Sequence, residues 1–334
     1  MSAGEVKRRY LGRSLGGAAW IAILALMAAL HVLPWFWPSI VHTMIMIFLF
    51  AIMGQGWNVL SGYAGQFSFG HSLFFGLGAY TSSLLYVKVG LTPWIGLPAA
   101  IVLSVGVGLF VGFLSFRYEL KGPFFALIML AFAEIFYVIA MGWEWVGGAL
   151  GVLIPLEGDS WHLMQFTSKN PFYFLLLWLT AGSIFLVWKL EGTRMGLYFQ
   201  AAREDQDAAE ALGVNSFRYR QSAMAISAGM TAVGGTIYAQ YLLYIDPDTT
   251  FGVLNSVEIM LRPIIGGPGT VLGPLLGSVV LTPLSEVTRI AFQAYSGAYL
   301  MFYGAILVAV IIFLPDGLMG LVRNITGRIR GRRP

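Results

Sequence analysis

The chain has 334 residues, of which 57% are hydrophobic and 11% are charged, and its mean hydropathy is +0.75. A soluble domain carries about 25% charged residues, so the composition excludes an ordinary soluble protein and predicts an all-α polytopic membrane protein. The chain contains no cysteine, which excludes disulfides, thiolate metal sites and cysteine nucleophiles.

Apolar runs of the length needed to cross a bilayer, about 20 residues, follow one another along the chain. The first run follows a basic start, but it is longer than a signal-peptide core and has no clear cleavage site, so we interpret it as a retained span. About ten transmembrane helices are predicted, over residues 15–33, 39–60, 70–87, 93–116, 122–142, 171–189, 218–243, 254–266, 269–288 and 297–315.

Basic residues set the predicted orientation. The formal net charge of +4 is concentrated at the chain ends and in a central loop. Such clusters also occur in nucleic-acid-binding proteins, but here each adjoins an apolar span and marks the cytoplasmic side, so no nucleic-acid partner is expected. We predict a basic cytoplasmic N-terminus (1–14), one transmembrane domain (15–322) and a basic cytoplasmic tail (323–334), with both termini inside.

The central polar segment, residues 190–217, is the strongest local signal. Within it, the Ala-rich run 201–213 is predicted to form one compact cytoplasmic helix between two spans. Glu204, Asp205 and Asp207 would lie near its N-terminal turn, where negative charge is favourable. Gly213 would end it as a C′ residue. Alanines at positions 208, 209 and 211 would form a low surface that another protein can approach closely.

The same pattern also fits an ordinary solvated loop, and the carboxylates could in principle form a cation site. We favour a surface presented to a soluble protein, because a structural membrane protein would not need an exposed Ala-rich helix. No metal-spaced histidine pair and no P-loop motif occurs. No catalytic residue, metal site or cofactor is therefore predicted.

Two stretches share a glycine rhythm: the first glycine loop (62–70, GYAGQFSFG) and the second glycine loop (266–273, GGPGTVLG). Paired, interrupted apolar segments of this kind mark the pathway in transporters built from repeats. Close helix packing through small residues is the alternative. The pathway candidates here are Gln66, Ser68, Gly266, Gly267 and Gly269.

Ionisable groups inside predicted spans are further pathway candidates, because a charge in lipid is costly. These groups are His71, Glu134 and Arg262. Arg262 precedes Pro263, which frees a backbone carbonyl and can kink the helix. Hydrogen bonding to neighbouring helices is an equally good interpretation of each.

Several motifs together resemble one family, the permease subunits of branched-chain amino-acid ABC importers, of the LivM type. The resemblance covers residues 40–322. The matching motifs are GYAGQFSFGH (62–71), GAYT (78–81), GPFFAL (122–127), AEI (133–135), the glycines of 147–151, RED with AA and ALG (203–213), GGPG with GP (266–274) and FLPDGL (313–318).

The resemblance implies partners and a location. The chain would lie in the bacterial plasma (inner) membrane beside a homologous second permease subunit, two cytoplasmic ATPase subunits and an extracytoplasmic solute-binding protein. ATP would be bound by the ATPase subunits, and the amino acid would pass inward between the permeases. The matching ATPase-coupling residues would be Arg203, Glu204, Asp205, Ala208, Ala209, Glu210, Ala211, Leu212 and Gly213.

The sequence departs from the family pattern at Arg262-Pro263, where apolar residues are more usual, and at Gln206, where an acidic residue is frequent. An additional cation near the pathway could favour a more acidic ligand, so Arg262→Ala is expected to change substrate preference if Arg262 lines the pathway. A urea or short-chain amide permease is the nearest alternative. A proton-coupled secondary carrier, with Glu134 as proton site, is an alternative from another class.

Overall fold

The computed structural model describes residues 17–120 and 122–291, with short stretches at 301, 304–305, 308 and 317–320. The predicted N-terminus (1–14) and basic tail (323–334) lie outside the described residues, as does most of the predicted span 297–315. Every predicted span before residue 292 coincides with a helix to within a few residues. The helices are α1 Gly17–Phe36, α2 Val41–Trp57, α3 His71–Val89, α4 Pro93–Arg117, α5 Pro123–Gly142, α6 Asn170–Glu191, α7 Arg194–Glu204, α8 Gln206–Ala211, α9 Ser216–Leu242, α10 Pro247–Phe251, α11 Val253–Gly266 and α12 Gly273–Ala291.

The most apolar helices lie at the periphery of the bundle. Four helical stretches of the described chain are long and apolar enough to cross a membrane: Pro38–Tyr63, α4, α5 and α6. Helices α4 and α5 leave most of their residues exposed or partly exposed, whereas α3 buries most of its residues despite its serines and glycines. A helix that faces lipid must be apolar, while a helix enclosed by protein can be polar. The chain is therefore an all-α membrane protein, and the total of ten spans remains a prediction.

The centre of the bundle is a close contact between α3 and α9. A Cβ added to Gly78 would lie 2.7 Å from the Cα of Ala232, and one added to Gly235 would overlap the carbonyl oxygen of Phe75. Thr236 Oγ1 also donates a hydrogen bond to the carbonyl of Gly78 at 3.0 Å. Small residues thus let the two backbones touch, which is how membrane helices gain packing energy without a hydrophobic driving force.

The two ends of the bundle differ. The near end holds the central polar segment. The far end holds the connection between α5 and α6, which contains β1 (Val152–Leu153). This strand pairs antiparallel with β2 (Tyr244–Ile245), which follows α9. The indole of Trp94 donates a hydrogen bond to the carbonyl of Trp161 at 2.6 Å. These contacts fold the far-end connection onto α4 and α9.

At the near end, α2 continues into a π-helix, Asn58–Tyr63. A π-helix has a wider turn than an α-helix and is often found at functional sites. Here it leads directly into the first glycine loop, whose end is held by a hydrogen bond from Trp57 Nε1 to the carbonyl of Ser68 at 2.9 Å.

The α3–α9 contact predicts a large effect of adding side-chain volume. Gly78→Val should lower the free energy of unfolding by about 1–3 kcal/mol or more, because a β-branched side chain would push the backbone of Ala232 away. Gly106→Val in α4 is the control, since nothing lies within 4 Å of a Cβ at Gly106. Thermal unfolding of the detergent-purified variants measures the difference. Equal midpoints for the two variants would contradict the close contact.

Candidate functional site

The two glycine loops meet at the near end, where amide side chains from the end of α2 and the start of the π-helix bond the second loop. Asn58 Nδ2 donates to the carbonyl of Thr270 at 2.9 Å, and the backbone N–H of Gly269 donates to Asn58 Oδ1 at 2.8 Å. Gln55 Nε2 donates to the carbonyl of Val271 at 2.5 Å. The contact between Asn58, Gly62 and Gly269 is called the glycine joint below.

The glycine joint requires glycine for steric reasons. A Cβ on Gly62 would overlap Asn58 Oδ1 and lie 2.6 Å from the backbone nitrogen of Gly269. Gly269 itself has a φ of +71°, which side-chain-bearing residues rarely adopt. A Cβ on Gly266 would overlap the carbonyl oxygen of Gly273. The shared glycine rhythm thus corresponds to close backbone packing.

Arg203 extends from the central polar segment into this joint. Its Nη1 donates a hydrogen bond to the carbonyl of Gly62 at 2.5 Å. A Cβ on Gly65 would lie 2.8 Å from Arg203 Cγ, and one on Gly269 would lie 3.0 Å from its Nη1. The guanidinium therefore lies against both glycine loops.

The predicted single helix over residues 201–213 is wrong. The segment is two helices, because α7 ends at Glu204 and α8 begins at Gln206. Asp205 between them is extended, with φ −153° and ψ 110°, and its Oδ1 accepts a hydrogen bond from the N–H of Ala208 at 3.0 Å. An aspartate that caps a new helix in this way competes with continuation of the preceding one.

The break changes the roles predicted for several residues. Glu204 lies at the C-terminal end of α7, not near an N-terminal turn, whereas Asp207 does lie in the first turn of α8. Ala209 is buried, so it does not belong to the exposed surface expected of it. Gly213 has a φ of +85°, as expected for a C′ glycine.

The exposed face of α8 and the turn after it combines small residues with one large apolar side chain. Ala208 and Ala211 are exposed, and Leu212 is 86% exposed. Gln206 Nε2 donates to Glu210 Oε1 at 3.0 Å along the helix. An exposed leucine beside alanines in an otherwise charged segment is a surface suited to contact with another protein.

His71 is fully buried in a hydrogen-bonded network. Its Nδ1 lies 2.9 Å from Ser68 Oγ, and its Nε2 lies 2.8 Å from Ser227 Oγ on α9. Ser256 Oγ on α11 accepts a hydrogen bond from the backbone N–H of Ser72 at 2.8 Å. His71 and Ser68 therefore join the first glycine loop to α3 and α9. Gln66 of the same loop is buried.

Arg262, a pathway candidate from the sequence, is buried and paired. Only 1% of its side chain is exposed, and its Nη1 lies 2.7 Å from Glu258 Oε2 one turn earlier on α11. Its guanidinium carbon lies 3.4 Å above the ring centre of Phe50 on α2. In this conformation the charge is compensated by Glu258.

Glu134, by contrast, is exposed on α5. It lies on the same helix face as Phe124, Leu127 and Val138, which are all exposed. Beside this face, the Tyr137 hydroxyl donates to Asp248 Oδ1 of α10 at 2.6 Å. A carboxylate in the middle of an apolar helix is costly in lipid, by about 2.5–3.5 kcal/mol on insertion scales. Such a face is better suited to protein or water than to acyl chains.

Three contributors to the site were missed from the sequence: Gln55, Asn58 and Glu258. Each left a signal in the spacing of polar residues. Gln55 and Asn58 are amides three residues apart in an apolar helix, which places them on one face. Glu258 precedes Arg262 by four residues, the spacing of an ion pair on a helix. Among the described residues, no three His, Asp or Glu side chains are grouped as metal ligands would be.

The geometry defines a class of protein: a helical multi-pass membrane protein whose polar segment at one end is joined mechanically to its interior loops. Comparison with known proteins then gives the family. The family described as "Branched-chain amino acid transport system / permease component" matches residues 39–311, and the chain belongs to this family.

Individual relatives agree with this assignment. The high-affinity branched-chain amino acid transport system permease protein LivM of Salmonella typhimurium is 30% identical over 327 residues, which cover 89% of this chain and 75% of the relative. LivM of Escherichia coli is 28% identical with the same coverage. LivH of Escherichia coli is 24% identical over 289 residues, 81% of this chain and 91% of the relative. No solved structure matches the chain.

The buried ion pair predicts asymmetric effects of removing its members. Glu258→Gln should destabilise the protein by about 3–5 kcal/mol, because it leaves the buried guanidinium unpaired. Arg262→Met should cost less, since Glu258 is 25% exposed and can be solvated. The double variant should recover stability relative to Glu258→Gln alone.

Thermal unfolding of the three variants measures this cycle. Amino-acid uptake by the Arg262→Met variant provides a second readout. If Arg262 serves only the ion pair, the variant should transport less in total, but its preference among amino acids should be unchanged. A changed preference would show instead that Arg262 lines the pathway, as the sequence led us to expect.

Proposed function

We propose that the chain is the membrane-spanning permease subunit of an ABC importer that moves branched-chain or related amino acids into the cell, powered by separate ATPase subunits. Family membership supports the transport role. The observation that carries the mechanism is the central polar segment, which exposes Leu212 on one side and inserts Arg203 between the glycine loops on the other.

In this proposal the near end faces the cytoplasm. Exposed basic residues lie there at Lys189, Arg194 and Arg218, and basic residues beside spans favour the cytoplasmic side. The far end carries exposed tryptophans at 143, 145 and 161, a residue type enriched at membrane interfaces. This orientation fits ten spans, cytoplasmic termini and the bacterial inner membrane.

The exposed face of α8 is the proposed docking surface for an ATPase subunit. Ala208 and Ala211 allow a partner to approach closely, while Leu212 offers an apolar side chain that would lose its water on contact. The two-helix form of the segment also matters, because the Asp205 break sets α8 apart from α7. ATP-driven closure of the ATPase pair would then press on α8 and move α7.

The solute would pass between this chain and a homologous second permease. Similarity to both LivM and LivH, two differently named permeases, supports such a pair. We propose that the exposed α5 face with Glu134 lines part of this path, because a partner or water would replace lipid there. Its carboxylate would attract the ammonium group of an amino acid supplied by an extracytoplasmic binding protein.

Docking through α8 predicts that a charge at Leu212 breaks the complex. Leu212→Asp should lower the amount of ATPase that co-purifies with this chain by about 10-fold or more, the range expected when a central contact of an interface is removed. Leu150→Asp is the matched control, because Leu150 is 87% exposed but lies at the far end. Equal recovery of the ATPase with both variants would show that α8 is not the docking surface.

The energy source distinguishes an ABC permease from a proton-coupled carrier. In proteoliposomes this chain alone should not move leucine under a proton gradient, whereas the complex with its partner permease, ATPases and binding protein should do so with ATP. Glu134→Gln should reduce uptake by the complex by about 5-fold or more, through loss of one charge-assisted contact. Proton-driven uptake by the chain alone, abolished by Glu134→Gln, would establish the carrier instead.

A further inference from the structure

Arg203 of α7 donates a hydrogen bond to the first glycine loop, and it also touches the second. The bonded carbonyl belongs to Gly62, whose neighbour across the joint is Gly269. Asn58 then bonds both the N–H of Gly269 and the carbonyl of Thr270. One arginine therefore contacts two loops that lie about 200 residues apart in the sequence.

The direction of Arg203 separates it from a docking residue. The residues suited to contact an ATPase, such as Leu212, point away from the bundle. Arg203 instead bonds inward, and a planar guanidinium with several fixed N–H donors suits a contact with backbone carbonyls of two segments. Arg203 is partly open to solvent, but its Nη1 is already bonded to the carbonyl of Gly62.

We propose that Arg203 is the positioning residue that transmits movement of the central polar segment to the glycine joint. This inference rests on the proposed function, because it assumes that an ATPase moves α8. A displacement of α7 would pull on Gly62 and press on Gly269 together, so both halves of the chain would respond at once.

The joint continues into the interior of the bundle. The first glycine loop is bonded to α2 through Trp57 and Ser68, and Ser68 bonds His71 at the start of α3. His71 in turn bonds Ser227 on α9. Movement at Gly62 would thus reach the α3–α9 pair, which forms the centre of the bundle, through contacts that are all buried or partly buried.

The experiment measures uptake per ATP hydrolysed by the complete complex in proteoliposomes. Arg203→Met should keep the ATPase subunits bound and hydrolysing ATP while lowering the solute moved per ATP by about 5-fold or more, a typical range for loss of coupling between two sites. Arg203→Lys, which can still donate one hydrogen bond to Gly62, should recover part of the loss. Arg194→Met is the matched control, because Arg194 is exposed at the start of the same helix.

A distance measurement provides a readout that a purely structural role would not change. The chain has no cysteine, so spin labels at Glu204→Cys and Phe67→Cys report only the separation of α7 and the first glycine loop. With Arg203 present, the distance should stay constant when ATP is added. With Arg203→Met, it should vary with nucleotide.

The outcomes are distinct. Unchanged uptake per ATP in Arg203→Met would overturn the proposal, as would a separation that is insensitive to the substitution. Loss of ATPase binding in Arg203→Met would overturn it in favour of docking. If the wild-type chain bound no ATPase and showed no ATP-driven uptake, the proposed function itself would fail.

Discussion

Backbone that leaves helical geometry inside a bundle must find hydrogen-bond partners within the protein, and side chains from outside the two glycine loops supply such partners to both. Asn58 satisfies an N–H and a carbonyl of the second loop, and Arg203 satisfies a carbonyl of the first. Glycine at positions 62 and 269 allows the contact. The central polar segment is connected to the first glycine loop through Arg203, and the start of α3 is connected to it through Ser68 and His71.

The distribution of polar residues explains how one chain can be inserted in a bilayer and still have specific contacts that connect its two ends. An outer helix such as α4 is apolar because lipid is its solvent. Inner helices carry serine, histidine and glycine, which form specific contacts with few alternatives. A bundle of this kind moves as packed units whose contacts are discrete, so a displacement at one end can reach the other. The proposed function, in which separate subunits hydrolyse ATP, requires such a connection.

Much of the fold is predictable from the sequence because apolar length and glycine position act locally. Tertiary partners are not: the inward direction of Arg203 depends on where α7 meets the bundle, and the pairing of Arg262 depends on Glu258 and Phe50. The break at Asp205 is a local competition between capping and helix continuation, which Ala-rich composition alone hides. Gln55 and Asn58, the amides that bond the second glycine loop, left only a weak signal: they lie on one face of an apolar helix.

The central claim is that an ATPase subunit contacts the turn after α8 and acts through it. Because the chain has no cysteine, Leu212→Cys gives a single attachment point for a photo-reactive probe in the assembled, transporting complex. The account predicts that illumination links this position to an ATPase subunit and that ATP changes the yield. A transporting complex in which the probe captures no ATPase subunit, with or without ATP, would contradict it.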